Sequence, residues 1–181
     1  MKLDFPRATL CALPAKASVA LGLAAALLLA PFASAAETAV SLRVTTLNGA
    51  AMEIPGGLPE PRALLLLGFR HDDRTALEAW RQGLGLRAED KDWFEVPVIG
   101  VGNPMIRSMI VRGMQGGVSS VADRAHFAPA FADAGSVAKQ FGVDPDRPAA
   151  VVVDRTGRVL ARASGPFDPA KAQVLTSALA H

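Results

Sequence analysis

The chain has 181 residues, half of them hydrophobic and a fifth charged, with 16 Gly, 13 Pro, no Tyr and a single Cys. That length accommodates one globular domain plus a short additional segment. The formal net charge is only +2, and no Lys/Arg stripe is long enough for a nucleic-acid footprint, so no nucleic-acid partner is expected.

The additional segment comes first. Lys2, Arg7 and Lys16 precede an apolar run from Val19 to Ala30, which closes on Pro31-Phe32 and then Ala33-Ser34-Ala35-Ala36. This is the pattern of a secretory signal peptide over residues 1–35, with small side chains at Ala33 and Ala35 suited to a signal peptidase pocket. The run is about a dozen residues, short of the roughly 20 that cross hydrocarbon, and no cationic stop follows it. Cleavage after Ala35 is therefore expected, giving a periplasmic or secreted domain over 36–181 with no transmembrane segment. Removal takes away three cations and Asp4, which leaves equal numbers of basic and acidic side chains. It also takes away Cys11, which precedes the apolar run, whereas a lipid-acceptor cysteine would follow it. Export permits disulfides, but a cysteine-free domain has to hold together by core packing, for which its length suffices.

The elements of the mature domain follow in order. Ser41–Thr45 alternates, Asn48-Gly49 supplies the positive φ of a tight turn, and Ala51–Ile54 returns, which predicts an N-terminal β-hairpin. The breaker-rich Pro55–Pro61 leads into the apolar run from Arg62 to Phe69, expected as a central strand buried on both faces. Asp72 or Asp73 is placed to cap a helix to about Gln82, with Ala76, Leu77, Trp80 and Leu84 on one side. Phe94–Gly100 reads as a second strand, near a sheet edge or irregular at Pro97, because proline cannot donate to a ladder. Asn103-Pro104 caps and starts a helix through about Arg112. Residues 116–129 carry no clear period and receive no assignment. Ala130–Ala132 is expected as a short strand, and Gly135–Phe141 as a helix that Gly142 stops. Ala149–Val153, a turn at Asp154–Gly157 and Arg158–Arg162 form an antiparallel hairpin. Asp168-Pro169 then opens a closing amphipathic helix.

The stretch from Phe131 to Pro148, in which a helix runs into Phe141-Gly-Val143, continues through Ala149–Val153 and Asp154-Arg-Thr-Gly-Arg158. It resembles the C-terminal half of peroxiredoxin and redoxin-type thioredoxin folds. The resemblance implies an α/β, thioredoxin-like central mixed sheet flanked by helices, and it places Pro148 at the position of that fold's cis-proline. In the redox members a thiol pair follows the first central strand at a helix start, where the helix N-terminus lowers the thiol pKa. Here that position reads Phe69-Arg-His-Asp-Asp-Arg-Thr-Ala76. Thiol–disulfide and thiol-peroxidase activity are thus excluded in the mature chain.

A second set of residues comprises Pro97-Val-Ile-Gly100, the run Pro104-Met-Ile-Arg-Ser-Met-Ile-Val-Arg-Gly-Met114, an insert to Phe127, and the Val152-to-Val159 hairpin. It is similar to the thioredoxin-like assembly-factor family of the mitochondrial ATP synthase and its bacterial relatives. That likeness implies a non-catalytic assembly or chaperone role, with no cofactor and with a protein partner, membrane-associated partners included.

Two candidate surfaces follow. Arg70, His71, Asp72, Asp73 and Arg74 stand at the C-terminal end of a central strand, where open α/β sheets bind ligands, and the resemblance sets Arg147 and Pro148 opposite them. These seven form a candidate partner-binding groove. The blander alternative has Asp72 or Asp73 as a helix cap and the rest solvated. The helix from Asn103 supplies Met105 and Met109 one turn apart, rimmed by Arg107 and Arg112, as a candidate docking helix, since methionine suits adaptable partner surfaces. Met105, Met109 and Met114 also raise a copper(I) site, against which core packing or docking is favoured. The rival from another class is a metal carrier or metal-dependent enzyme using His71, His126 and the nearby aspartates. Their spacing gives it little support, because adjacent aspartates diverge at a helix start. No Gly-x-Ser-x-Gly nucleophile elbow occurs, and Glu89-Asp-Lys-Asp92 reads as a polar loop.

Overall fold

The computed structural model describes residues 39–100, 102–118 and 120–180, so the signal-peptide segment and Cys11 lie outside the described residues. The first element is the antiparallel hairpin β1 (Leu42–Thr45) and β2 (Ala51–Ile54), in which Leu42 pairs with Ile54. Gly49 takes the positive φ (86°) that its turn requires.

The main sheet has the order β4-β3-β5-β6. Strand β3 (Arg62–Gly68) runs parallel to β4 (Trp93–Pro97) and antiparallel to β5 (Ala149–Asp154), which forms a hairpin with β6 (Val159–Ser164). The run Ala63–Leu67 is buried throughout, because both faces of the sheet are covered. On one face Leu65, Leu67, Val96 and Val151 meet the β1–β2 hairpin and Val137 and Phe141 of α4 (Ala134–Phe141). On the other, Leu64, Leu66, Trp93 and Val152 meet Leu77 and Trp80 of α1 (Arg74–Gly83) and Leu175 of α5 (Pro169–Ala180). Strand alternation produces this division, since successive side chains point to opposite faces.

Local chemistry fixes the joints. Asp154 Oδ1 accepts from Thr156 N, Thr156 Oγ1 and Arg158 N in the β5–β6 turn. Gly157 in that turn has φ 83° and lies against the chain entering β1, where an added Cβ would stand 2.9 Å from the Val40 carbonyl. Gly142 ends α4 in the left-handed region, and Asp168 Oδ1 accepts from Ala170 N and Lys171 N at the start of α5.

The structure corrects two expectations and settles two points that the sequence leaves open. The helix from Asn103, α2 (Pro104–Gly117), continues past Arg112. The unassigned stretch contains α3 (Val121–His126), capped by Ser120. The strand expected at Ala130–Ala132 reduces to an isolated parallel bridge, Val98 with Ala130, and a second bridge joins Glu95 to Phe127. These bridges cover the outer side of β4, where Ala128 N donates to Glu95 O and Ala130 N to Pro97 O. Finally, Ile54–Pro55 is the cis bond among the described residues, so Arg147–Pro148 is trans. Proline leaves both isomers accessible, and the flanking chain selects between them. Among the described residues no helix is long and apolar enough to cross a membrane.

Candidate partner-binding site

Strand register brings the two candidate surfaces to one end of the sheet. Gly68 pairs with Pro97 and Leu67 with Ala149. The corner after β3, the link from β4 to α2 and the loop before β5 therefore all emerge together, at the C-terminal ends of the parallel strands.

The corner is built around Asp73. The chain leaves Gly68 extended and turns through a short 3-10 segment, His71–Asp73, into α1. Asp73 Oδ2 accepts from Phe69 N at 2.8 Å and Arg70 N at 2.9 Å, and the residue is buried. Its carboxylate thus holds the strand-to-helix corner and faces no partner, which removes Asp73 from the groove. It does not cap α1 through its side chain either. His71, Asp72 and Arg74 are exposed around it.

Across from the corner, Asp146 Oδ1 accepts from Arg70 Nη2 at 2.8 Å, and both side chains are more than half exposed. The segments of Arg70 and Arg147 are therefore neighbours. Arg147 is exposed, with Nε at 3.8 Å from Asp144 Oδ2. Pro148 is buried, and its carbonyl accepts from Gly165 N, so it contributes no open surface. Arg70, His71, Asp72, Arg74 and Arg147 remain as the exposed set, with the Arg70–Asp146 pair spanning it.

Helix α2 is placed by its N-cap, where Asn103 Oδ1 accepts from Met105 N, and by its far end, where Gln115 Nε2 donates to Leu47 O at 2.7 Å. Arg124 of α3 donates to the carbonyls of Val118 and Gln115. No residue of α2 is buried. Met105 is 75% and Met109 65% exposed, so neither fills a core. Arg112 is exposed, whereas Arg107 lies half-buried with its guanidinium 5.1 Å from the Phe131 ring centroid. Arg107 is accordingly part of the helix's attachment as well as of its rim.

His126 is buried, stacked on Trp93 at 4.2 Å between centroids, with its Nδ1 2.9 Å from Trp93 O and its Nε2 2.9 Å from Ala88 O. Both ring nitrogens are engaged, while His71 stands exposed in the 3-10 turn ahead of α1. The metal reading that joined them gains no cluster, because no three His, Cys, Asp or Glu side chains gather for a metal among the described residues.

Sequence reasoning missed Glu95. It is a buried carboxylate in mid-β4, and burial pushes its pKa up to about 7, opposed by the Arg81 charge. Arg81 is itself engaged with Glu78, Nη2 to Oε2 at 2.7 Å. The available signal was a lone charge inside the apolar run Trp93-Phe-Glu-Val96. At the other end of the sheet a cleft of about 640 Å³ opens among Glu60, Arg62, Glu89, Asp92 and Leu179, away from both candidate surfaces.

No protein-family model matches the sequence, and no curated protein matches it. Solved structures do match. The exposed lipoprotein thioredoxin of Streptococcus pneumoniae aligns with a TM-score of 0.52 at 11% identity, over 78% of this chain and 98% of that one. BsSco, a member of the Sco family of cytochrome c oxidase assembly proteins, aligns at 0.50 and 10%, over 78% and 91%. A putative protein disulfide isomerase of Bacteroides thetaiotaomicron aligns at 0.50 and 13%, over 79% and 88%. The fold is thioredoxin-like: a central mixed sheet flanked by helices, with an N-terminal antiparallel hairpin.

Proposed function

We propose that the chain is an exported thioredoxin-fold binding protein without redox chemistry, serving as an assembly or chaperone-like factor for a protein partner. The observation that carries this reading is the corner after β3. In the redox members this corner presents thiols, and here it presents Arg70, His71 and Asp72 around a carboxylate already committed to the backbone. A rigid sheet remains, with an exposed polar rim and a helix whose large apolar side chains face solvent at the same end. Such a surface recognises by shape and charge, and performs no bond chemistry.

The export half of the reading rests on the basic, apolar and small-residue pattern of positions 2–35. The assembly half is supported by the likeness of Pro97–Met114 and the Val152–Val159 hairpin to assembly factors. The same scaffold also serves a Sco-family assembly protein.

The test is affinity isolation of the full chain from the exported fraction of its own cells, comparing wild type with Arg70→Ala, Arg147→Ala and the double substitution Met105→Asp/Met109→Asp. A reproducible protein partner lost in at least one folded variant is expected. Identical yields in all of them would refute both surfaces.

A further inference from the structure

The binding reading leaves the chemistry of the partner open, and α2 narrows it. Met105, Ile106 and Met109 on α2 and Val121 on α3 (69% exposed) are the large apolar side chains that the fold leaves in solvent beside this helix. Covering them with apolar surface is favourable, and a solitary domain forgoes that gain. Charge adds a sign. From Val96 to Ala122 the sequence holds two arginines and no acidic residue, and Arg112 is exposed on the helix.

Glycines add a shape. A Cβ added at Gly113 or Gly116 would meet nothing within 4 Å, and neither residue has a positive φ. The fold itself does not require them, yet glycine in a helix interior is disfavoured relative to alanine. A bare helix surface next to exposed methionines permits close approach by another backbone.

Resting on the binding reading above, we infer that the outer face of α2, centred on Met105, Met109 and Arg112, docks an acidic, apolar segment of a partner protein. Carboxylates of that segment pair with Arg112, its aliphatic side chains cover Met105, Ile106 and Met109, and its backbone runs close over Gly113 and Gly116. A lipid surface fits less well. Interfacial helices combine several cations with Trp, Phe or Leu, and α2 has two arginines and none of those apolar types. A second copy fits less well again, because two such faces would oppose arginine to arginine without a carboxylate on the helix to separate them.

The test replaces Ser108, exposed beside Met109, with the photo-crosslinking residue p-benzoylphenylalanine in the full chain, in the cells that make it. A parallel variant carries the crosslinker at His71. Mass spectrometry of the Ser108 adduct should map it to a protein segment that mixes acidic and apolar residues. Arg112→Glu should lower its yield about tenfold, and Arg112→Lys should largely restore it. Adducts to phospholipid, to a second copy, or to a segment lacking acidic residues overturn the inference. So does an adduct indifferent to Arg112→Glu. Adducts at His71 with none at Ser108 overturn the inference and leave the binding reading standing. Adducts at neither position overturn both.

Discussion

Arg70 and Asp146 meet across the end of the sheet, Nη2 to Oδ1 at 2.8 Å, joining the corner after β3 to the loop before β5. The pair ties together two of the segments that emerge at the C-terminal ends of the parallel strands. Being solvent-exposed, it is worth about 0.2–1 kcal/mol. Its neighbour Asp73 is buried and accepts two backbone amides.

These neighbours should therefore behave oppositely. Arg70→Ala is expected to change unfolding free energy by less than about 1 kcal/mol. Asp73→Ala strands the amides of Phe69 and Arg70 and should cost about 2–4 kcal/mol. Urea denaturation of both variants reads the difference. Equal effects would mean that the corner is not organised by Asp73.

Glu95 predicts a pH dependence. Its folded pKa, about 7, lies above the ordinary 4.5. Below pH 4.5 the carboxyl is protonated in both states and has no effect. Between 4.5 and 7 the unfolded chain releases the proton while the folded chain keeps it, so stability falls as pH rises, reaching its full cost above 7. The shift corresponds to a loss on the order of 3 kcal/mol. Glu95→Gln should flatten this slope in urea titrations at pH 5 and pH 8 and be the more stable form at pH 8. A wild type equally stable at both pH values, after allowance for other groups through the variant, would contradict it.

His126 bears on metal. With both ring nitrogens occupied by the carbonyls of Trp93 and Ala88, the thermal midpoint of the tag-free protein should be the same in EDTA and in excess zinc, because a ligand stabilises only what it binds. His126→Phe keeps a ring for the stack on Trp93 but abandons two carbonyls, and should cost about 1–3 kcal/mol. A zinc-dependent rise in the midpoint that His126→Phe abolishes would restore the metal reading.

Gly113 separates stability from binding. Gly113→Ala finds open space for its methyl group and should stabilise the free domain by about 0.5–1 kcal/mol. If a partner backbone runs over this face, the same methyl group should lower crosslinking at Ser108. Stabilisation without any loss of crosslinking would place the partner elsewhere.

What the sequence made legible was chiefly local. The apolar run of β3, the Asp154-to-Gly157 turn, the glycine stop after Phe141 and the caps at Asn103 and Asp168 each carry their signal within a few residues. The structure places them as expected. Helix α3 was not legible, because only six residues long it has no room for a hydrophobic period. Its position comes instead from His126 on Trp93 and from Arg124 on the carbonyls of Val118 and Gln115, contacts whose partners lie elsewhere in the chain. Asp73 was legible as a cap-forming residue, but its bonds run backwards to the strand end and not forwards into α1. The resemblance aligns Pro148 with a cis-proline but leaves its isomer open, and no residue beside it specifies one. Among the proposed surfaces, exposure separated the members. Met105, Met109 and Arg112 stay open, whereas Pro148 and Asp73 are buried and Arg107 packs on Phe131.

The most direct test of a non-redox binding protein is native mass spectrometry of the tag-free chain isolated from the exported fraction. The expected spectrum shows the chain trimmed after Ala35, without metal, in a stoichiometric complex with another protein. A bare chain carrying about one metal ion per molecule would contradict it and return His71 and the aspartates of the β3–α1 corner to consideration as ligands.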